Sequence, residues 1–325
     1  MTRIAALDAG RMGRGIAVVF AYAGHPVSVV DFKPRPAAAF QSLVAQVTAE
    51  IAATLGMLHR IGLIAQTDAA VIAARIAVID ADGAAAALAE ADLIFEGLPE
   101  ILTLKQEALA RASAVARPDA IIASTTSTIL VDDMSSSVVV PERFLNAHWL
   151  NPAYLMPLVE LQPGVRTAPE ITARLKALLE GIGKVPVICA ARPGYIVPRI
   201  QALAMNEAAR MVEEGVASAE DIDKAVTYGF GLRFGVLGLL EFIDWGGGDI
   251  LHHASAYLAE ALGDPRYAAP DIIARNMAQG RIGMKSGSGF LDYEGLDLAA
   301  HQQKRLGQLA DALRRMGLAR GPVVG

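Results

Sequence analysis

Short apolar runs punctuate the first part of the chain at Ile4–Leu7, Val27–Val30, Ile76–Ile79, 93–95 and 120–123. Between most of them apolar positions recur at helical spacing, which predicts helices over about 12–23, 35–55, 83–90 and 102–114. A strand that is apolar along its length is buried on both faces. Such strands alternating with helices predict a parallel sheet with helices on each side. Phe144–Trp149, 158–161 and Val185–Ile188 continue the strand series, with a helix near 171–179 between the last two. After Arg192-Pro193-Gly194 the pattern changes. Residues 196–214 read as one long helix with Pro198 in its first turn, where a missing N–H costs little. Gly215 follows its end. Ser218 then offers a fresh N-cap, with Glu220 and Asp221 in the first turn. No strand pattern follows. The expected architecture is α/β: a doubly wound Rossmann domain over residues 1–190, then an all-α domain over 191–325.

Composition narrows the class. The chain has 325 residues, enough for two domains, and its 53% hydrophobic and 19% charged content excludes a disordered chain. A net charge of −5 argues against a nucleic-acid surface. Cys189 is the only cysteine, which excludes an internal disulfide and a cysteine-rich zinc site and fits a reducing, cytoplasmic setting. No metal site is expected: His252 and His253 are adjacent and cannot share a helix face. His25, His59 and His301 read as ordinary surface or core residues, and Trp149 and Trp245 as packing. The most apolar long stretch, 226–248, carries Arg233, Glu241 and Asp244, unlike a spanning helix. The first strand begins by Ile4, which leaves no room for a signal peptide, and neither a membrane nor a nucleic acid is an expected partner.

The first strand runs into Leu7-Asp8-Ala9-Gly10-Arg11-Met12-Gly13 and then a helix. A dinucleotide turn has the pattern G-x-G-x-x-G, for a tight turn, a close pyrophosphate and close helix packing in that order. Gly10 and Gly13 fill the second and third places, with Arg11 and Met12 between them. Asp8 fills the first, and its charge opposes an incoming pyrophosphate. Asp31 ends the second strand 18 residues after Gly13, where a carboxylate binds ribose hydroxyls and favours NAD over NADP. Lys33 and Arg35 just beyond it weaken that preference. A lone glycine pair is an ordinary turn; strand, glycines, helix, strand and acid together predict an NAD site.

A second set follows: Ser124-Thr125-Thr126-Ser127-Thr128, then Asn146-Ala147-His148-Trp149-Leu150-Asn151-Pro152, then Leu158-Val159-Glu160. Ser127 lies 21 residues before His148, and Glu160 lies 12 after it. With these motifs the chain resembles the L-3-hydroxyacyl-CoA dehydrogenase family, which carries S-[NT]-T-S, H-[FW]-x-N-P and a glutamate in V-E. The resemblance extends to Glu100 and Lys105, to Pro193-Gly194-Tyr195, to Asp221-Ile222-Asp223 and to Lys285-Ser286-Gly287-Ser288-Gly289-Phe290. It implies an NAD-dependent oxidoreductase of short 3-hydroxyacyl-CoA substrates in fatty acid metabolism, working as a homodimer with a small-molecule substrate. It also places Glu100 and Lys105 near cofactor and substrate, in a cleft between two domains.

The chemistry is coherent in its own right. Oxidising a secondary alcohol needs hydride departure to a nicotinamide and a base for the hydroxyl proton. Histidine is the side chain suited to that near neutrality. A carboxylate on its other nitrogen fixes the tautomer. His148 is the expected base, Glu160 its orienter and Ser127 the substrate positioner. Taken singly, each reads as a packed or surface residue; the two separations join them.

Two features depart from the family. Its P-G-F-x-x-N-R run is Pro193-Gly194-Tyr195-Ile196-Val197-Pro198-Arg199 here, so Pro198 replaces a substrate-facing asparagine, and Gln201 is a candidate stand-in. Gly229-Phe230-Gly231-Leu232-Arg233-Phe234 resembles relatives that act on free hydroxy acids, such as gulonate and carnitine dehydrogenases. There Arg233 would pair with a carboxylate; the plain alternative is a surface or interface arginine. A non-catalytic scaffold like lambda-crystallin is a further alternative, favoured by Asp8 and Pro198 and opposed by Ser127, His148 and Glu160.

Overall fold

In the computed structural model, residues 1–321 are described. The first compact unit, Met1–Ala204, is built on strands β1 Ile4–Leu7, β2 Val27–Val30, β3 Ile76–Ile79, β4 Leu93–Glu96, β5 Ile121–Ser124, β6 Phe144–Trp149, β7 Leu158–Pro163 and β8 Val185–Ile188. They form one sheet in the order β3-β2-β1-β4-β5-β6-β7-β8. Its helices are α1 Arg11–Tyr22, α2 Ala37–Arg60, α3 Gln66–Ala73, α4 Ala84–Glu90, α5 Leu102–Val115, α6 Val131–Ser135 and α7 Pro169–Gly181. The order reverses between β1 and β4, the switch point at which doubly wound sheets bind nucleotides.

Period-two alternation separates the two faces. Ile4, Val29, Leu93, Phe95 and Ile121 pack with Ile16, Phe20, Val47 and Leu55 of α1 and α2. Ala5, Leu7, Ile94 and Ile122 pack with Leu88, Leu109 and Met134 of α4, α5 and α6. Leu7, Phe20, Phe95 and Leu109 are fully buried, and each such side chain contributes about 1.5–3 kcal/mol.

Two details differ from the sequence pattern. The sheet is parallel only through β6; β7 pairs antiparallel with β6, and β8 runs parallel to β7. The segment between Trp149 and Leu158 is too short for a crossover helix, so the chain turns back on itself. The helix expected over 35–55 begins at Ala37 and continues to Arg60, and a further helix, α3, follows it.

Helix α8, Val197–Glu213, runs through the boundary into the second unit, which begins at Met205. That unit holds α9 Ala219–Ala225, a π-helical turn Val226–Gly231, α10 Leu232–Phe234, α11 Leu239–Gly246, α12 Gly248–Ala261, α13 Asp271–Ala278 and α14 Leu298–Arg315. Ser218 caps α9, its hydroxyl accepting from Asp221 N at 3.1 Å. Glu241 of α11 takes a two-pronged contact from Arg305 (2.7 and 2.9 Å) and another from His301 (2.9 Å), which fixes α14 against α11. Among the described residues no strand occurs in this unit, and no single helix is long and apolar enough to cross a membrane. The apolar pair Ala219–Phe234 and Leu239–Gly246 is bent by 84°.

Candidate active site

The β1–α1 turn is shaped for close packing. A Cβ on Gly13 would lie 2.1 Å from the Asp8 carbonyl, so only glycine lets α1 start this close to β1. Asp8 has φ +84°, the left-handed conformation that glycine supplies at this place in a dinucleotide turn. Its carboxylate stands over Gly10, with Oδ2 2.4 Å from where a Cβ would be. That is the ground a pyrophosphate takes at the start of α1. Burial raises the Asp8 carboxyl above its ordinary value and nearby Asp31 adds to this, against an opposing hydrogen bond from Gly10 N. Arg11 is exposed and Met12 half-buried. Asp31 is buried at the end of β2; it accepts from Lys33 N at 3.2 Å and pairs with the Arg35 guanidinium. Turn, helix start and terminal acid have the form of a dinucleotide turn, with the Asp8 carboxylate as its one departure.

Beside this turn, charged groups shape the loop after β5. Lys105 is 1% exposed, and its ammonium donates to both oxygens of fully buried Glu96 (3.1 and 3.2 Å) and to the Leu98 carbonyl (2.9 Å). The Ser124 hydroxyl also donates to Glu96. Glu100 lies 3.4 Å from Lys105 and gathers the loop: it accepts from Ser127 N (3.0 Å), Thr128 N (2.9 Å), the Thr128 hydroxyl (2.8 Å) and the Thr126 hydroxyl. Burial opposes its ionised form, but the Thr126 and Thr128 hydrogen bonds and Lys105 outweigh this and bring its pKa to about 2. Glu100 and Lys105 therefore hold the loop that presents Ser127, whose side chain is exposed. Glu96 was not singled out by the sequence pattern, and Ser124 and Thr126 were noted only as motif positions, because no spacing rule links a strand end to a buried lysine on the next helix.

His148 and Glu160 face each other as cross-strand partners on β6 and β7. Imidazole Nδ1 is 2.8 Å from Glu160 Oε2, and both residues are buried. Nε2 has no partner among the described residues. The other Glu160 oxygen accepts from Ile196 N (2.8 Å) and Val197 N (2.9 Å) at the start of α8. Burial pushes the Glu160 carboxyl up, but the contacts from His148, Val197 and Ile196 prevail and hold it below its ordinary value. Tyr195 is a further site residue. Its ring stacks on His148, with centroids 4.8 Å apart and planes at 26°, and its hydroxyl donates to the Thr126 carbonyl at 2.8 Å. Tyr195 has φ +45°, and burial pushes its phenol well above the usual range. Its place in Pro193-Gly194-Tyr195 was the available signal.

Pro198 follows directly on the capped N–H groups of α8. Ile196 and Val197 N–H go to Glu160 and Arg199 N–H to the Gly194 carbonyl (2.9 Å), so proline removes a donor that would otherwise need a partner. Gln201 is exposed on α8. Arg233 belongs to the second unit. Its guanidinium lies 4.7 Å over the Phe242 ring, beside Leu237, Trp245 and Leu306, and has no carboxylate partner among the described residues.

A histidine–carboxylate pair and a nucleotide turn on one doubly wound sheet suit a nicotinamide-dependent alcohol dehydrogenase. Residues 3–192 match the family model "3-hydroxyacyl-CoA dehydrogenase, NAD binding domain", and residues 194–293 match "3-hydroxyacyl-CoA dehydrogenase, C-terminal domain". The chain belongs to the 3-hydroxyacyl-CoA dehydrogenase family, and it is an NAD-dependent oxidoreductase. It is 31% identical over 314 residues to the 5-formyl-3-hydroxy-2-methylpyridine 4-carboxylate 5-dehydrogenase of Mesorhizobium japonicum, covering 96% of this chain and 97% of that one. It is 31% identical over 287 residues to a probable 3-hydroxybutyryl-CoA dehydrogenase of Deinococcus radiodurans, covering 88% and 98%. A 3-hydroxyacyl-CoA dehydrogenase of Archaeoglobus fulgidus superposes with a TM-score of 0.75 at 29% identity, covering 98% of this chain and all of that one.

Proposed function

We propose that the chain interconverts a short L-3-hydroxyacyl-CoA, such as 3-hydroxybutyryl-CoA, and its 3-oxo form. The observation that carries this reading is the His148–Glu160 pair, which leaves Nε2 free, with Tyr195 joining His148 to the loop of the exposed Ser127. Bound NAD would supply the hydride acceptor. His148 Nε2 takes the hydroxyl proton, or returns it in the reduction direction. Glu160 holds the imidazole in the tautomer with the proton on Nδ1 and stabilises the cation that forms. The Ser127 hydroxyl bonds the reacting oxygen. Glu100 and Lys105 position that serine through the loop and border the cofactor, together with Asp8, Gly10, Arg11, Met12, Gly13 and Asp31. Pro198 and Gln201 border the substrate.

In the same reading, residues 1–190 bind NAD and 191–325 serve substrate and dimerisation in a cytoplasmic homodimer. Exposed Leu203, Met205, Val212 and Val216 support the dimer, since apolar surface of this kind favours a partner. The deciding experiment follows NADH oxidation with acetoacetyl-CoA against a panel of free 3-oxo acids. Turnover confined to the acids would defeat the thioester reading.

A second reading, a free 3-hydroxy acid as substrate, rests on Arg233. A guanidinium without a carboxylate partner suits the carboxylate of such an acid. Under this reading Arg233→Met raises KM for the acid. Under the thioester reading it leaves acetoacetyl-CoA reduction unchanged.

A further inference from the structure

We propose that Arg35 opens the adenosine end of the nucleotide site to a ribose 2′-phosphate, so that the chain takes NADP as well as NAD. The inference rests on the reading of the β1–α1 turn as a dinucleotide site.

A bare carboxylate at the end of β2 excludes NADP by charge, because it meets a 2′-phosphate head-on. Asp31 is not bare. Its Oδ2 pairs with Arg35 Nε, and its Oδ1 accepts from Lys33 N. Only one of the five guanidinium N–H donors is spent on Asp31; both terminal amino groups of Arg35 have no partner among the described residues. Those groups form the fork that binds phosphate oxygens in pairs.

The backbone favours this use. Arg35 sits in Lys33-Pro34-Arg35-Pro36. Each proline fixes its own φ, and Pro36 also holds Arg35 out of the helical region. Pro36 itself has φ −56° and ψ 147° immediately before α2. The guanidinium is thus presented from a stiff segment, and little backbone freedom remains to be lost when an anion binds. Its side chain is 30% exposed, open to a ligand yet partly screened from water.

The surrounding charge points the same way. Lys33 is exposed and pairs with no carboxylate among the described residues. The Arg111 guanidinium lies 4.3 Å over the ring of Phe32, the residue after Asp31. Arg35 pairs with Asp31 itself, Lys33 is two residues on and Arg111 stands over Phe32, with Asp8 as the other nearby acid. A phosphomonoester of about −1.5 to −2 charge is attracted to such a set.

The test is calorimetric titration of the full chain with ADP-ribose and with 2′-phospho-ADP-ribose, which needs no catalytic turnover. Both probes are expected to bind, the phosphorylated one within about tenfold of its parent. Arg35→Ala should weaken the phosphorylated probe about tenfold or more and ADP-ribose less than about threefold, with Arg35→Lys recovering part of the loss. The proposal is overturned if the native chain binds the phosphorylated probe about a thousandfold more weakly than ADP-ribose, or if Arg35→Ala moves both probes equally. Binding of neither probe would overturn the nucleotide site, and this proposal with it.

Discussion

Tyr195 lies flat against His148, with ring centroids 4.8 Å apart, while its hydroxyl donates to the carbonyl of Thr126, the residue before Ser127. One side chain thereby touches the candidate base and the loop that carries the candidate substrate positioner. Tyr195→Phe keeps the ring and loses the hydroxyl. It should cost about 1 kcal/mol of stability and lower kcat by about three- to tenfold, with the melting temperature and kcat measured on the same preparation. A variant with native kcat would show that the hydrogen bond serves folding alone.

His148→Gln removes the base and leaves the fold of β6 intact. The expected loss in kcat is about 10² to 10⁴, with NADH affinity within a factor of about two of the native chain. Single-turnover reduction of acetoacetyl-CoA and an NADH titration read the two effects separately. Undiminished turnover would refute the mechanism.

Glu100 gives a pH signature. Its pKa is about 2 in the folded chain against an ordinary value of 4.5. A depressed carboxylate contributes stability that is fully present above pH 4.5 and is lost as the pH falls from there toward 2. Melting temperature recorded across that window should drop more steeply for the native chain than for Glu100→Gln, which has no carboxylate to protonate. Parallel curves would mean that the ionised form is not what holds the loop.

Asp8→Gly relieves a left-handed backbone and removes an anion from the pyrophosphate's ground. Both effects have the same sign. Stability should rise by about 1 kcal/mol and NAD should bind about tenfold more tightly. Equal dissociation constants for the two forms would show that the carboxylate swings clear when the dinucleotide arrives.

Much of the scaffold was legible in the sequence because apolar strands and helical spacing are local signals. The His148–Glu160 pairing was legible through the family motifs, but the chain reversal that makes it a cross-strand contact was not. A twelve-residue separation centred on a chain reversal brings two strand positions face to face, as the β6–β7 register does. The direction of β7 depended on counting the connection rather than reading the strand. The Glu96–Lys105–Glu100 network was not legible, since its geometry exists only once α5 packs beside the ends of β4 and β5. The resemblance drew attention to Glu100 and Lys105, but not to the Ser127 loop as what they grip. The backbone of Asp8 shows the converse. The missing glycine was visible, yet the turn keeps its left-handed conformation and accommodates the aspartate.

Glu160 spends one oxygen on the imidazole and the other on the first N–H groups of α8. The first turn of that helix and the aim of the base therefore share one carboxylate. A change that re-angles α8 to admit a bulkier substrate also turns His148. Replacement of side chains along α8, as at Pro198, leaves the aim untouched.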